Sequence, residues 1–209
     1  MYECTVKDRK GADPNMTLEE LLEYFSHSET IGENKEAVDM MRHYSREAQK
    51  ITMKINTQYH EPEEMVELFS ELTGKELDES FSLFPPFYTD FGKNITLGKN
   101  VFINAGCHFQ DNGGIEIGDG TMIGPRTIIV TLNHDLDPKT RLTATPKSVK
   151  IGKNVWIGAN CTILPGMSIG DNSVIGAGSV VVKSIESNTV AVGNPAQVIK
   201  HLEENSPFQ

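Results

Sequence analysis

The chain runs to 209 residues, 38% of them hydrophobic, with a formal net charge of −10, which leaves room for one domain and a smaller lobe. The excess acid is confined to one part: residues 1–94 hold 10 Lys and Arg against 20 Asp and Glu, and residues 95–209 hold 9 against 9. An acidic chain with no basic stripe argues against a nucleic-acid partner, and no apolar run is long enough to span a bilayer. Met1-Tyr2-Glu3-Cys4-Thr5 lacks the apolar core of a leader, so a cytoplasmic protein is expected. The three cysteines form no Cys-x-x-Cys, and Cys107 and Cys161 are expected as small, reduced core residues. A small anionic cofactor needs only a local lysine or two and stays open.

Residues 1–82 are expected to form a helical N-terminal lobe. Thr17-Leu18-Glu19-Glu20 is a capping-box pattern, followed by Leu18, Leu21, Leu22 and Phe25 at helical spacing. A second helix carries Ala37, Met40, Met41, Tyr44, Ala48, Ile51 and Ile55 on one stripe. A third starts near Pro62, carries Met65, Val66, Phe69 and Leu72, and ends at Gly74. Such helices are too short to stand alone. They are expected to cap an exposed end of the β structure that follows. Residues 83–94, with Leu83-Phe84-Pro85-Pro86-Phe87-Tyr88, read as an extended lead-in segment.

From residue 95 to 184 the chain repeats every six residues. Leu97, Ile103, Phe109, Ile117, Ile123, Ile129, Ile151, Ile157, Ile163, Ile169, Ile175 and Val181 mark the large positions, each with a smaller or medium residue two places earlier. A period of six fits strand alternation and not a 3.6-residue helix, and it is the signature of a hexapeptide β-helix. Gly, Asn and Asp at corners such as Gly118-Asp119-Gly120 and Gly170-Asp171-Asn172 tolerate positive φ. Three hexads close a triangular coil, coils stack about 4.8 Å apart, and twelve hexads make four coils. No coil buries its aliphatics alone, so the stack is cooperative. The register slips by two residues near Asp111 to Gly114 and breaks for a loop over about 133–148. Insertions in a solenoid gather function. The β-helix is placed at 95–200 and a tail at 201–209.

The motifs inside the hexads say more. Phe84-Pro85-Pro86-Phe87-Tyr88-Thr89-Asp90-Phe91-Gly92-Lys93-Asn94-Ile95, Val101-Phe102-Ile103-Asn104, Thr131-Leu132-Asn133-His134-Asp135-Leu136-Asp137, Asn154-Val155-Trp156-Ile157-Gly158, Val174-Ile175-Gly176-Ala177-Gly178-Ser179-Val180-Val181 and Val192-Gly193-Asn194-Pro195-Ala196 occur in that order. Over about residues 62–200 the chain resembles the hexapeptide-repeat O-acetyltransferases of the maltose, galactoside and nodulation type. The resemblance implies an all-β solenoid with an α-helical N-terminal lobe, in the form of a left-handed parallel β-helix, although the general rule for parallel crossovers favours the right hand. It also implies a homotrimer with active sites in clefts between neighbouring solenoids. The activity it implies is acetyl transfer from acetyl-CoA to a hydroxyl of a sugar or similar polyol, with no metal.

Such a transfer needs a base for the hydroxyl proton, a donor for the oxyanion, and both substrates held in contact. His134, at the start of the one long loop, is the expected base, because an imidazole changes charge near physiological pH. Either Asp135 or a backbone carbonyl would orient it. The resemblance places Asn104 in the acceptor pocket near the reacting centre and matches Asp90 and Asp111 to acceptor-binding positions, where a carboxylate accepts two hydroxyl hydrogens. By its place at the register slip, Asp111 could give way to Asn112. Backbone N–H groups around Gly158 and Ala159 are the expected oxyanion donors. Trp156 is placed against the arm of the cofactor or at a trimer seam. Ala177 and Gly178 would form a flat track for pantetheine, and Lys183 and Lys200 would meet its phosphates. Residues 1–55 depart from the family, with Glu36 and Arg46 only loosely in place of its acceptor-reaching acid and Arg.

Other readings compete. A hydroxylated-antibiotic (xenobiotic) acetyltransferase usually carries a larger loop within the solenoid, and a serine acetyltransferase a larger helical domain. A γ-type carbonic anhydrase needs three His for zinc, where the solenoid offers His108 and His134. A non-enzymatic scaffold presents flat repetitive faces, whereas Thr96, Phe102, Glu116, Met122 and Trp156 are irregular.

Overall fold

The computed structural model describes residues 16–203; the leader reading at Met1–Thr5 and most of the 201–209 tail lie outside them. Among the described residues no helix is long and apolar enough to cross a membrane.

Three helices come first. α1 (Leu18–His27) opens on the expected capping box between Thr17 and Glu20. α2 (Lys35–Thr57) opens on Asn34, whose side chain accepts from the N–H groups of Glu36 and Ala37. α3 (Pro62–Thr73) has Pro at its start and stops at Gly74, which takes φ 69°.

The solenoid follows. β1 (Ser82–Leu83), β2 (Phe87–Thr89) and β3 (Ile95–Leu97) make the first coil, and β4 (Phe102–Ile103), β5 (Cys107–Gln110) and β6 (Ile115–Ile117) the second. β7 (Met122–Ile123) and β8 (Ile128–Val130) begin the third. The chain then leaves in an antiparallel hairpin, β9 (Leu132–His134) with β10 (Ala144–Pro146), and returns as β11 (Val149–Ile151). β12 (Trp156–Ile157), β13 (Thr162–Ile163) and β14 (Ser168–Ile169) form the fourth coil. β15 (Val174–Ile175) and β16 (Val180–Val181) open the fifth, and β17 (Thr189–Val192) lies above β15, with β18 (Gln197–His201) turning back antiparallel beside it.

These strands stack into three walls. The first has the order β1-β4-β7-β12-β15-β17-β18, the second β2-β5-β8-β13-β16 (read from the helical end), and the third β3-β6-β11-β14. The large hexad positions Ile103, Phe109, Ile123, Ile129, Ile157, Ile163, Ile175 and Val181 are all fully buried. Burial of each such side chain is worth about 1.5–3 kcal/mol.

The stack is longer than the twelve hexads read from the sequence. Residues 83–94 are not only a lead-in segment: with Ser82 they supply β1 and β2, whose Leu83 and Phe87 pair in register with Ile103 and Cys107. The first coil therefore begins before residue 95, and its extra two residues fall at the same corner as those near Asp111.

The lobe caps this first coil, as expected, through α3 and the second half of α2. Ile51, Ile55, Phe69 and Leu72 join the main core, and the Phe69 ring lies 4.8 Å from Phe81 and 5.0 Å from Phe87. Asn56 takes the place of the missing preceding strand. Its Nδ2 donates to the Phe87 carbonyl and its Oδ1 accepts from the Phe87 N–H, both at 2.8 Å. An exposed strand edge is thereby closed. The first half of α2 and all of α1 pack elsewhere. Leu21, Phe25, Ile31, Ala37 and Met40 form a second cluster with Phe91 and with Ala144 of the hairpin.

Candidate active site

His134 ends β9 and is exposed. Its Nδ1 lies 2.8 Å from the Arg141 carbonyl oxygen. A carbonyl only accepts, so Nδ1 carries a proton, and in the neutral ring Nε2 presents a lone pair. Of the two orienting groups weighed, the carbonyl holds the ring. Asp135 instead accepts from the Asp137 N–H at 3.0 Å and the Thr140 hydroxyl at 2.7 Å, and these bonds hold its carboxyl below the usual range.

The hairpin leaves from the corner between the second and third walls, here the hairpin edge. The corner between the first and second walls repeats without interruption. In each turn the residue after the large aliphatic donates its N–H to the neighbouring coil: Asn104 to Ile123, Gly124 to Ile157, Gly158 to Ile175 and Gly176 to Ala191, at 2.7–2.9 Å. Two residues on, the N–H groups of Arg126, Asn160 and Gly178 donate the other way, to Ala105, Pro125 and Ala159. The residue between forms a column of Ala105, Pro125, Ala159 and Ala177, here the alanine edge. The N–H groups of Ala159 and Ala177 make no hydrogen bond among the described residues.

This pattern corrects the reading of Gly158. Its N–H is spent on Ile175 at 2.7 Å, so it is not an oxyanion donor. A Cβ there would sit 2.6 Å from the Ala177 nitrogen, so coil stacking, and not room for substrate, demands glycine. Ala159 and Ala177 remain available. At Gly178 a Cβ would meet nothing within 4 Å, and the surface there is open. Asn104 sits at the foot of the same edge. Its Oδ1 accepts from the Ala105 N–H at 2.8 Å, which leaves Nδ2 to donate. Trp156 is 51% exposed on the first wall, between Met122 and Val174 in the ladder.

The two lysines are separated. Lys200 lies in β18, paired with Val190 on the wall that carries Trp156. Lys183 follows β16 at the hairpin edge, across the second wall from Ala177. Within one chain they do not flank a common track.

Asp111 is a second correction. Its side chain is fully buried. Oδ1 accepts from the Thr89 hydroxyl at 2.7 Å and the Phe91 N–H at 3.0 Å, and Oδ2 from the Asn94 N–H at 3.1 Å. It ties the two-residue insertion of the first coil to that of the second and presents nothing to an acceptor. Burial pushes its carboxyl up against the bonds that hold it down. Asn112, its alternative, is 4% exposed. Asp90 does face out, and its Oδ1 lies 3.2 Å from His108 Nε2. That bond leads a rise in the His108 pKa against partial burial. The sequence offers His108 only as a candidate zinc ligand. Its outward position opposite Tyr88 in β2 was the available signal for a surface pair. Among the described residues no three His, Cys, Asp or Glu side chains gather as a metal site.

Comparison with known proteins places the chain in a family. A family model described as the hexapeptide repeat of succinyl-transferase matches residues 148–183. The galactoside O-acetyltransferase of Lactococcus lactis is 38% identical over 164 residues, 77% of this chain and 79% of the relative. The crystal structure of a maltose O-acetyltransferase from Clostridium difficile 630 superposes with a TM-score of 0.81 at 38% identity, over 88% of this chain and 97% of that one. A hexapeptide-repeat acetyltransferase from Vibrio cholerae, solved with acetyl coenzyme A, gives 0.75 at 30% identity, over 88% and 99%. The chain belongs to the hexapeptide-repeat acetyltransferases of the galactoside and maltose type. It is an acyltransferase.

Proposed function

We propose that the protein transfers an acetyl group from acetyl-CoA to a hydroxyl of a sugar or similar polyol, directly in a ternary complex, with His134 as general base. The observation that carries this is the Nδ1–H bond from His134 to the Arg141 carbonyl at 2.8 Å, which leaves Nε2 as a proton acceptor on an exposed hairpin. The hydroxyl oxygen attacks the thioester carbonyl carbon as Nε2 takes its proton. The C–S bond then breaks, and the proton returns to the CoA thiolate. Asn104 Nδ2 and the Ala159 N–H are the donors for the oxyanion and acceptor. Family likeness to proteins named for galactoside and maltose supports a sugar acceptor. Direct transfer is supported by the two described cysteines: burial pushes the Cys107 thiol up to about 11 and raises that of Cys161, so neither offers a thiolate for an acyl-enzyme.

We propose further that the site is shared between copies of a homotrimer. His134 and Lys183 lie at one edge of the second wall, and Asn104, Ala159 and Ala177 at the other. A neighbouring solenoid that sets its alanine edge against this hairpin edge unites them.

A thiol-release assay with acetyl-CoA and a sugar panel tests the reaction. Activity is expected to fall by about 10²–10⁴-fold in His134→Ala and to persist in His108→Ala; absence of thiol release with every acceptor overturns the reading. Mixed His134→Ala and Asn104→Ala chains, refolded together, are expected to regain part of the activity. No recovery counts against the shared site.

A further inference from the structure

The connection between α1 and α2 does more than capping requires. The Ile31 N–H donates to the Ala144 carbonyl at 2.7 Å, and the Ala144 N–H returns to the Ile31 carbonyl at 3.2 Å. Ala144 stands directly opposite His134 in the β9–β10 pair. Ile31, Ala144 and His134 therefore form one row across three extended segments. Arg141, whose carbonyl holds His134 Nδ1, precedes Ala144 by three residues.

The hairpin has little of its own to hold it. Its strands are three residues each, and a two-stranded ribbon is marginal in water. Its turn is open to solvent, with Leu136 90% and Leu142 96% exposed. Its only buried side chain between 133 and 148 is Ala144, and that one packs into the second cluster with Phe25, Ala37 and Met40. Phe91 pins the cluster to the solenoid, edge-on to Phe25 and Tyr44 at 5.7 Å each. The coil end is closed separately, by α3 and the second half of α2.

We infer that Ile31 is a positioning residue for the transfer reaction: by pairing with Ala144 it holds the returning arm of the hairpin, and with it the Arg141 carbonyl, in the register that keeps the His134 proton on Nδ1. The inference rests on the reading of His134 as base. If that carbonyl drifts, the ring relaxes toward the Nε2–H tautomer, which has no lone pair where the hydroxyl proton must go.

Full-length Ile31→Pro removes the N–H and keeps apolar bulk, whereas Ile31→Val keeps both. Ile31→Pro is expected to lower kcat about 10²-fold, the size of effect a small misplacement produces, with the KM for acetyl-CoA unchanged. Nitrogen-15 spectra are expected to move His134 from Nδ1–H toward Nε2–H, and amide exchange to rise over 132–146 but not over 149–181. Ile31→Val is expected to match the parent. If Ile31→Pro also lowers the melting of the solenoid, Phe25→Leu loosens the same cluster without touching the hairpin backbone and is expected to give the same tautomer shift. Parental kcat and tautomer in these variants, with His134→Ala inactive, overturn the role of Ile31 alone. Full activity in His134→Ala overturns the base reading itself.

Discussion

The two edges of the second wall are built by different means. At the alanine edge the coils satisfy one another through a repeated backbone ladder, each turn donating once up and once down the stack, and the hydroxyls of Thr127 and Ser179 add bonds to the Gly158 and Gly176 carbonyls. The geometry there is repeated and redundant. At the hairpin edge the insertions break the ladder, and side chains take over. Asp111 accepts from Thr89, Phe91 and Asn94. Thr131 Oγ1 accepts from the Gly113 N–H at 2.8 Å, and Gln110 Oε1 accepts from the Leu132 N–H at 3.3 Å. A buried backbone group must find some partner, and where the repeat cannot offer one the sequence supplies a polar side chain. The repeat thus offers fixed N–H groups, and the interruption offers an imidazole set by a backbone carbonyl, whereas the imidazole that a hexad displays, His108, is paired with Asp90.

The largest effect that tests this division is chemical. His134→Ala is expected to lower kcat by about 10²–10⁴-fold, the usual worth of a general base, with the thermal transition unmoved because the ring lies outside the core. A variant that melts earlier would mean that the hairpin is part of the stack after all.

Asp111 comes next. Asp111→Ala leaves the buried amide of Phe91 and the half-buried amide of Asn94 without partners and is expected to destabilise by about 3 kcal/mol, from roughly 1–3 kcal/mol for each unsatisfied group. A urea midpoint measures it. The KM of the acceptor is expected to hold at the parental value. A raised acceptor KM with unchanged stability would restore the substrate role first read for this residue.

At the alanine edge two glycines separate stacking from surface. Gly158→Ala drives a methyl against the Ala177 nitrogen at 2.6 Å, an overpacking worth about 1–3 kcal/mol. Gly178→Ala meets no atom within 4 Å but sits at φ +72°, a conformation that costs an L-residue about 1 kcal/mol. Equal melting of the two variants would show that the edge yields where the backbone contacts say it cannot.

What could be read from the sequence follows the same line. The hexads legibly gave the inward residues, because a period of six leaves Ile123 or Ile157 no other place to go, and Thr17, Pro62 and Gly74 mark helix ends through local chemistry. The first coil was harder to see. Leu83 and Phe87 keep the spacing of Ile103 and Cys107, but Thr89 stands where Phe109 fills the large position one coil later, and two extra residues precede Ile95, so the period is lost before it is established. For Asp111 the family resemblance points to an acceptor contact, and only the turn at Phe91 to Asn94 in the preceding coil reveals why a carboxylate is buried there. The pairing of Ile31 with Ala144 left no mark, since it is made by backbone atoms 113 residues apart and any residue with an N–H could make it.

The smallest effect concerns the ionic contact between Asp90 and His108 on the second wall. Asp90 holds the His108 pKa above its ordinary value, so in the folded chain His108 keeps its proton to higher pH than in the unfolded one. A group raised in this way contributes stability that is fully present below its unfolded pKa and is lost as pH rises through the folded one. Asp90→Asn is therefore expected to cost stability on the acid side of the ordinary histidine range and nothing at alkaline pH. The side chains are 47% and 39% exposed, and solvent screening limits the difference to about 0.2–1 kcal/mol. Melting curves of parent and variant at pH 5 and pH 9 read it directly. A difference that persists at pH 9 would assign Asp90 a role other than its charge, and one that exceeds about 1 kcal/mol at pH 5 would mean that a partner copy buries the pair.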